Sequence, residues 1–167
     1  MGISRRTFIK QSTALFGAAS LGCIGIFDKD DKSQPKEKLG VALLGLGQYS
    51  TYQLAPALQL TSHCELKGII TGSPHKIPQW QEEYGIIEQN VYNYQNMEDV
   101  ADNQEIDIGY IVTPTSTHAH YAIRAANAGK HVFCEKPMAM TVSECQDIID
   151  ACEANGVFLS VGYRMQH

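Results

Sequence analysis

The sequence predicts an α/β fold, a doubly wound parallel sheet with helices on both faces. Two observations carry the prediction. Short apolar runs alternate with amphipathic ones over residues 39–164, and the first apolar run ends in a Gly-x-Gly turn that leads straight into a helical pattern. Alternation of this kind builds right-handed βαβ units, whose crossover helices cover the sheet on both sides.

The first strand is residues 40–44. Val41 to Leu44 are apolar without interruption, as a parallel strand buried on both faces requires. Further strand-like runs fall at 66–70, 106–112, 131–134 and 157–161. Helical patterns lie between them at 51–60, 77–84, 97–101, 117–128 and 142–155. Gly129 and Gly156 follow two of these patterns and suit left-handed C-terminal stops.

Composition sets outer bounds. An apolar fraction of 44% against 19% charged residues belongs to a globular chain, and 167 residues suffice for one domain with a real core. The net charge is −5, and residues 1–27 contribute only Arg5, Arg6 and Lys10, so the body is more acidic than the total. With no basic cluster, nucleic acid is not expected as a partner. The five cysteines show neither Cys-x-x-Cys nor Cys/His ligand spacing, so no metal site or disulfide framework is expected. Cys145 and Cys152 lie seven apart on a predicted helix, too far to bridge, and read as core-facing residues.

Residues 1–27 read as an export signal. Ser4-Arg5-Arg6-Thr7-Phe8-Ile9-Lys10 is a twin-arginine motif, followed by a modest apolar segment that is short for a membrane span. A signal of this class implies the twin-arginine export machinery as a partner and a periplasmic location, with export after folding and after nucleotide capture. An uncleaved N-terminal anchor is the alternative. Ser20-Leu21-Gly22-Cys23 also approaches a lipoprotein site, with Ser20 where leucine is usual, so lipidation at Cys23 stays open. Residues 28–38 are charged, contain Pro35 and read as a linker.

The chemistry starts at Gly45-Leu46-Gly47-Gln48-Tyr49-Ser50. Gly45 suits the tight turn, and Gly47 lets backbone approach a pyrophosphate. The helix opening at Gln48 and Tyr49 offers N–H groups and a positive dipole end to the anion. This approaches the dinucleotide fingerprint of a Rossmann unit, with Ser50 in place of the third glycine, and an ordinary strand-to-helix turn is the plain alternative. An NAD-specific unit carries an acidic residue at the end of the second strand. Here that end reads Thr71-Gly72-Ser73-Pro74-His75-Lys76, and Glu65 stands at the wrong end. Thr71, Ser73 and Lys76 suit a 2′-phosphate, which favours NADP over NAD. A solvated polar loop is the plain alternative.

Five segments in order carry a family resemblance: Gly45-Leu46-Gly47, Thr113 to His118, Ala128 to Val132, Cys134-Glu135-Lys136-Pro137 and Gly162-Tyr163-Arg164. The chain from Leu39 to Arg164 resembles the nucleotide-binding half of the Gfo/Idh/MocA oxidoreductases, and most of all the glucose-fructose oxidoreductase branch. The resemblance implies a sugar or polyol as substrate, NAD(P) as cofactor and a homo-oligomer for the complete protein. It further implies that Lys136 hydrogen-bonds the reacting hydroxyl beside the nicotinamide and that Glu135 helps place it. Thr115 and His118 would lie near the nicotinamide ribose, with Thr113 and Pro114 in the same loop. Tyr163 and Arg164 would lie at a domain junction.

Independent physics agrees with part of this. Ligands bind outside the carboxyl ends of strands in open α/β sheets, and both the Thr113–His118 and Glu135–Lys136 segments follow predicted strands. A partly desolvated lysine of lowered pKa can accept or relay the hydroxyl proton when hydride leaves a carbinol carbon. For Lys136 the alternative is a solvated loop lysine, and for His118 a helix N-terminal histidine without a ligand. His120, Tyr121 and His131 read as packing or surface residues. The sequence reaches Met165-Gln166-His167 where the family would cross into its substrate domain, so a fragment or truncated product is expected, with exposed apolar surface at 157–161. Two other readings stay open: a non-catalytic nucleotide-binding module and an inactive truncated product.

Overall fold

A computed structural model describes residues 36–163. The export signal at 1–27, Cys23, most of the linker and Arg164 lie outside the described residues. Six strands form one parallel sheet in the order β3-β2-β1-β4-β5-β6. They are β1 (Leu39–Leu44), β2 (Cys64–Ile70), β3 (Val91–Tyr92), β4 (Ile108–Ile111), β5 (His131–Cys134) and β6 (Leu159–Val161). The strand order reverses between β1 and β4, which sets the crevice of a doubly wound fold at the carboxyl end of β1.

Both faces of the sheet are packed. Leu43, Leu46, Leu66 and Ile69 meet Ala55, Trp80 and Ile86 on one side. Ala42, Leu44, Ile111, Val132 and Cys134 meet Ala122, Ala125, Ala126, Ile148 and Cys152 on the other. The helices are α1 (Ala55–Leu58), α2 (Ile77–Tyr84), α3 (His118–Asn127) and α4 (Val142–Ala154). Gly129 and Gly156 adopt positive φ as expected of helix stops, at 72° and 65°. Cys152 is buried, whereas Cys145 is only partly so, and both are free thiols.

The first helix differs from the even pattern predicted over 51–60. Ser50–Leu54 is a π-helical turn, closed by a bond from Ala55 N–H to Ser50 O, and α1 continues it for one turn. Pro56 explains the change, because it has no N–H to give to the carbonyl four residues earlier. Residues 97–102 form a 3₁₀ turn, Met97–Asp102, whose Met97 and Val100 are three apart and both buried. β3 was not predicted, since two residues carry no readable period. The predicted strand at 157–161 shortens to β6, an edge strand beside which Phe158 is 77% exposed.

Candidate nucleotide site and lysine loop

The Gly45 turn is fixed by both space and conformation. Its φ is +102°, and a Cβ there would lie 2.9 Å from Val112 O. Its N–H donates to Ile70 O at 3.0 Å, tying β1 to β2 as the chain leaves the sheet. Gly47 differs: it is exposed, and a Cβ would meet no protein atom within 4 Å. Internal packing therefore gives no reason for glycine there, whereas a ligand resting on the backbone does. Ser50 is fully buried and its hydroxyl donates to Gly45 O at 2.5 Å. Thr51 adds N–H and Oγ1 bonds to Gly47 O at 3.0 and 2.9 Å. In place of a third glycine, Ser50 latches the turn to the helix. Gln48 and Tyr49 stand exposed at that helix opening.

The end of β2 lies next to this turn. Lys76 Nζ donates to Leu46 O at 2.6 Å, so a residue 30 positions away caps the glycine turn. An ammonium has three donors, which leaves two for an anion. Thr71 corrects an expectation. It is 3% exposed, and its Oγ1 accepts from Ser73 N–H at 3.0 Å, so it shapes the turn instead of reaching outward. Ser73 is partly exposed, and the segment from Thr71 to Lys76 carries no carboxylate. Glu65 pairs with Lys67 at 3.2 Å at the opposite rim.

The loops after β4 and β5 meet through one histidine. His118, the first residue of α3, is 1% exposed. Its Nδ1 lies 2.8 Å from Pro137 O and its Nε2 2.8 Å from Thr113 O. The ring is enclosed and both of its nitrogens face backbone carbonyls, so His118 holds together the loop expected to lie near the nicotinamide ribose. The histidine staples the Thr113 loop to the Lys136–Pro137 loop, whose peptide bond is cis. Thr117 Oγ1 lies 2.9 Å from Thr113 Oγ1 and donates to Pro114 O at 2.8 Å, stiffening the short Thr115–Thr117 turn that leads into α3. Pro114 is exposed and Thr115 partly so.

Lys136 sits on this stapled loop with its side chain exposed. The described residues thus do not supply the desolvation expected of it. Glu135 in front of it is 9% exposed, and its Oε2 accepts from Lys136 N–H at 3.2 Å. Burial pushes the neighbouring Cys134 thiol up to about 12, so that sulfur stays protonated and packs as an apolar group. Tyr163 follows β6 and is half exposed.

A family model described as "Oxidoreductase family, NAD-binding Rossmann fold" (GFO_IDH_MocA) matches residues 39–163. The chain belongs to that family. Among solved Gfo/Idh/MocA structures, an aldose-aldose oxidoreductase from Caulobacter crescentus, complexed with glycerol, is 44% identical with a TM-score of 0.76. The match covers 77% of this chain and 38% of that one. The D-xylose 1-dehydrogenase [NADP(+)] of Haloarcula marismortui is 28% identical over 84% of this chain and 40% of its own length. An inositol 2-dehydrogenase of Salmonella typhimurium is 38% identical over 38% of this chain and 19% of its own. The chain thus spans about two fifths or less of the length of these relatives. Its relatives in the Gfo/Idh/MocA family include sugar and polyol dehydrogenases.

Three further residues of the site were not singled out as functional from sequence. Tyr110 on β4 donates its hydroxyl to Glu135 Oε1 at 2.8 Å. Gly162 makes room for that carboxylate, since a Cβ there would lie 2.9 Å from Glu135 Oε1. Tyr94 closes over Gly72, where a Cβ would meet its ring at 2.7 Å. The family resemblance marked Gly162 by motif alone. Nothing in a strand pattern distinguishes Tyr110 from any other partly buried aromatic.

Proposed function

We propose that this chain is the cofactor-binding half of an NADP-dependent oxidoreductase acting on a sugar or polyol, with Lys136 handling the proton of the reacting hydroxyl. The observation that carries the reading is convergence. The Gly45–Gly47 turn, the Thr113 loop and the Glu135–Lys136 loop lie at the carboxyl ends of adjacent strands β1, β4 and β5, and His118 ties the last two together. When bound, the nicotinamide ring exchanges a hydride with the carbinol carbon.

The chain's own residues supply the rest. The Gly45 turn and the helix opening at Gln48 and Tyr49 receive the pyrophosphate, and the open position at Gly47 fits that group. Lys76, held over the turn through Leu46, together with Ser73, meets a 2′-phosphate. The NADP(+) in the name of the Haloarcula relative supports this choice over NAD. Thr115 and Pro114 line the nicotinamide side. As hydride leaves the carbinol carbon, the hydroxyl gives its proton to Lys136, which accepts or relays it. In the complete protein, the family's second domain shields Lys136 from water, and the resemblance supports Tyr163 and Arg164 as residues of that junction. The twin-arginine motif supports a periplasmic location, and the resemblance supports a homo-oligomer.

The test is hydride exchange between NADP+ and D-xylose, D-glucose or myo-inositol by the protein expressed from its whole gene. Lys136→Ala is expected to lower kcat by about 10²-fold or more while the protein still binds NADPH, consistent with loss of a general acid–base group. Unchanged turnover in that variant would remove Lys136 from the mechanism.

A further inference from the structure

We infer that Tyr110 is a positioning residue for the reacting lysine, acting through the Glu135 carboxylate, and that Gly162 is the space that permits it. This rests on the reading of Lys136 given above.

Tyr110 lies on β4, and Glu135 directly follows the neighbouring strand β5. The Tyr110 hydroxyl donates to Glu135 Oε1 at 2.8 Å, while Oε2 of the same carboxylate accepts the Lys136 N–H at 3.2 Å. One carboxylate therefore links a sheet strand to the backbone of the lysine. The tyrosine ring is itself held, with its centroid 4.5 Å from that of Phe133. Burial and the adjacent carboxylate both raise the Tyr110 hydroxyl above its ordinary value, so it remains a donor. At Gly162 any side chain would press on Oε1 and push the carboxylate off Tyr110.

The far side of the turn has its own anchor, since His118 Nδ1 lies 2.8 Å from Pro137 O. Lys136 is thus an exposed side chain mounted between two fixed neighbours. A lysine has a long flexible stem, and fixing its base narrows the volume its ammonium samples. Hydrogen bonds to ionised groups are the strong ones, so losing the Tyr110 hydroxyl frees the carboxylate and with it the lysine's base.

The experiment compares wild type, Tyr110→Phe, Gly162→Ala, their double variant and Lys136→Ala, all expressed from the whole gene, with NADP+ and the two sugars and the polyol above as probes. Tyr110→Phe keeps the ring stack. It is expected to lower kcat about 10-fold with KM for NADP+ unchanged within about twofold, as the loss of one charge-assisted hydrogen bond implies. Gly162→Ala lowers kcat similarly, and the double variant is no worse than the poorer single one, because both act on one carboxylate. A second readout needs no turnover: the Lys136 amide exchanges with solvent about 10-fold faster in Tyr110→Phe.

If Lys136→Ala retains wild-type turnover, the reading of the lysine falls, and this inference with it. If Lys136→Ala is inactive but Tyr110→Phe keeps both kcat and the amide exchange rate, only the positioning role is overturned. A thermal midpoint that drops in proportion to the loss of kcat would also overturn it, by making the hydroxyl a stability element.

Discussion

At the scale of single residues, the site separates buried groups that form the loops from groups that stay exposed at the rim. Thr71, Ser50 and His118 are buried, and each spends its polar atoms on the backbone of a turn. Lys76, Ser73, Gln48, Tyr49 and Lys136 remain at least partly exposed. Lys76→Ala should raise KM for NADP+ about 10-fold or more and leave KM for NAD+ nearly unchanged, since only the former carries the 2′-phosphate, and steady-state kinetics with each nucleotide would read the split. Equal effects on both would place Lys76 on the loop alone. Ser50→Ala deprives a buried carbonyl of its donor and should cost about 1–3 kcal/mol in denaturant unfolding. The sequence made the residue types legible, because glycine, hydroxyl and lysine at those spacings fit a phosphate cradle. It could not tell a hydroxyl aimed at a ligand from one that closes a turn. For Thr71 that difference depends on the Ser73 N–H of its own turn, and for the His118 ring it depends on carbonyls of the Thr113 and Pro137 loops.

Elements explain how those residues are held. The π-helical turn after Gly47 follows from Pro56 and carries Ser50 beneath the glycine turn. Helix α4 opens on a capping box, Thr141 with Glu144, whose carboxylate also accepts from Met140 N–H at 3.0 Å. This cap fixes the far end of the lysine loop. Thr141→Ala should lower stability by about 1 kcal/mol, measured by urea unfolding. Across the other side of α3, Arg124 pairs with Glu98 of the 3₁₀ turn and donates to Tyr94 O at 2.8 Å. The guanidinium holds the Glu98 carboxyl below its usual range. A depressed carboxylate stabilises the fold above its unfolded value and loses that contribution as pH falls through the folded one. Glu98 is more than half exposed, so Glu98→Gln should cost only about 0.5 kcal/mol at neutral pH, and the two proteins should converge in thermal midpoint in acid. Long periodic elements such as α3, α4 and β1 were readable from sequence. The two-residue β3 and the π-helical turn ahead of α1 were not, because one has no period and the other turns on a single missing N–H.

For the whole molecule, strand order is the decisive property. Reversal between β1 and β4 brings the glycine turn, the histidine-stapled loops and the lysine to one rim of the sheet. Alternating apolar and amphipathic runs in the sequence were enough to imply a doubly wound sheet, and the Gly-x-Gly turn was enough to locate its crevice. The linkage of loops across that crevice, Lys76 to Leu46 and His118 to Pro137, came only with the structure, since it joins residues 30 and 19 positions apart. The account stands on nucleotide capture at that rim, and Trp80, the one tryptophan in the chain, lies in the core beneath it. The most direct measurement is energy transfer from Trp80 to bound NADPH, with NADH and a Gly47→Asp variant as references. The account predicts saturable quenching by NADPH, binding about 10-fold or more weaker for NADH, and none in the variant, whose carboxylate would occupy and repel the phosphate position. No saturable quenching by NADPH, or quenching undiminished in Gly47→Asp, would contradict it.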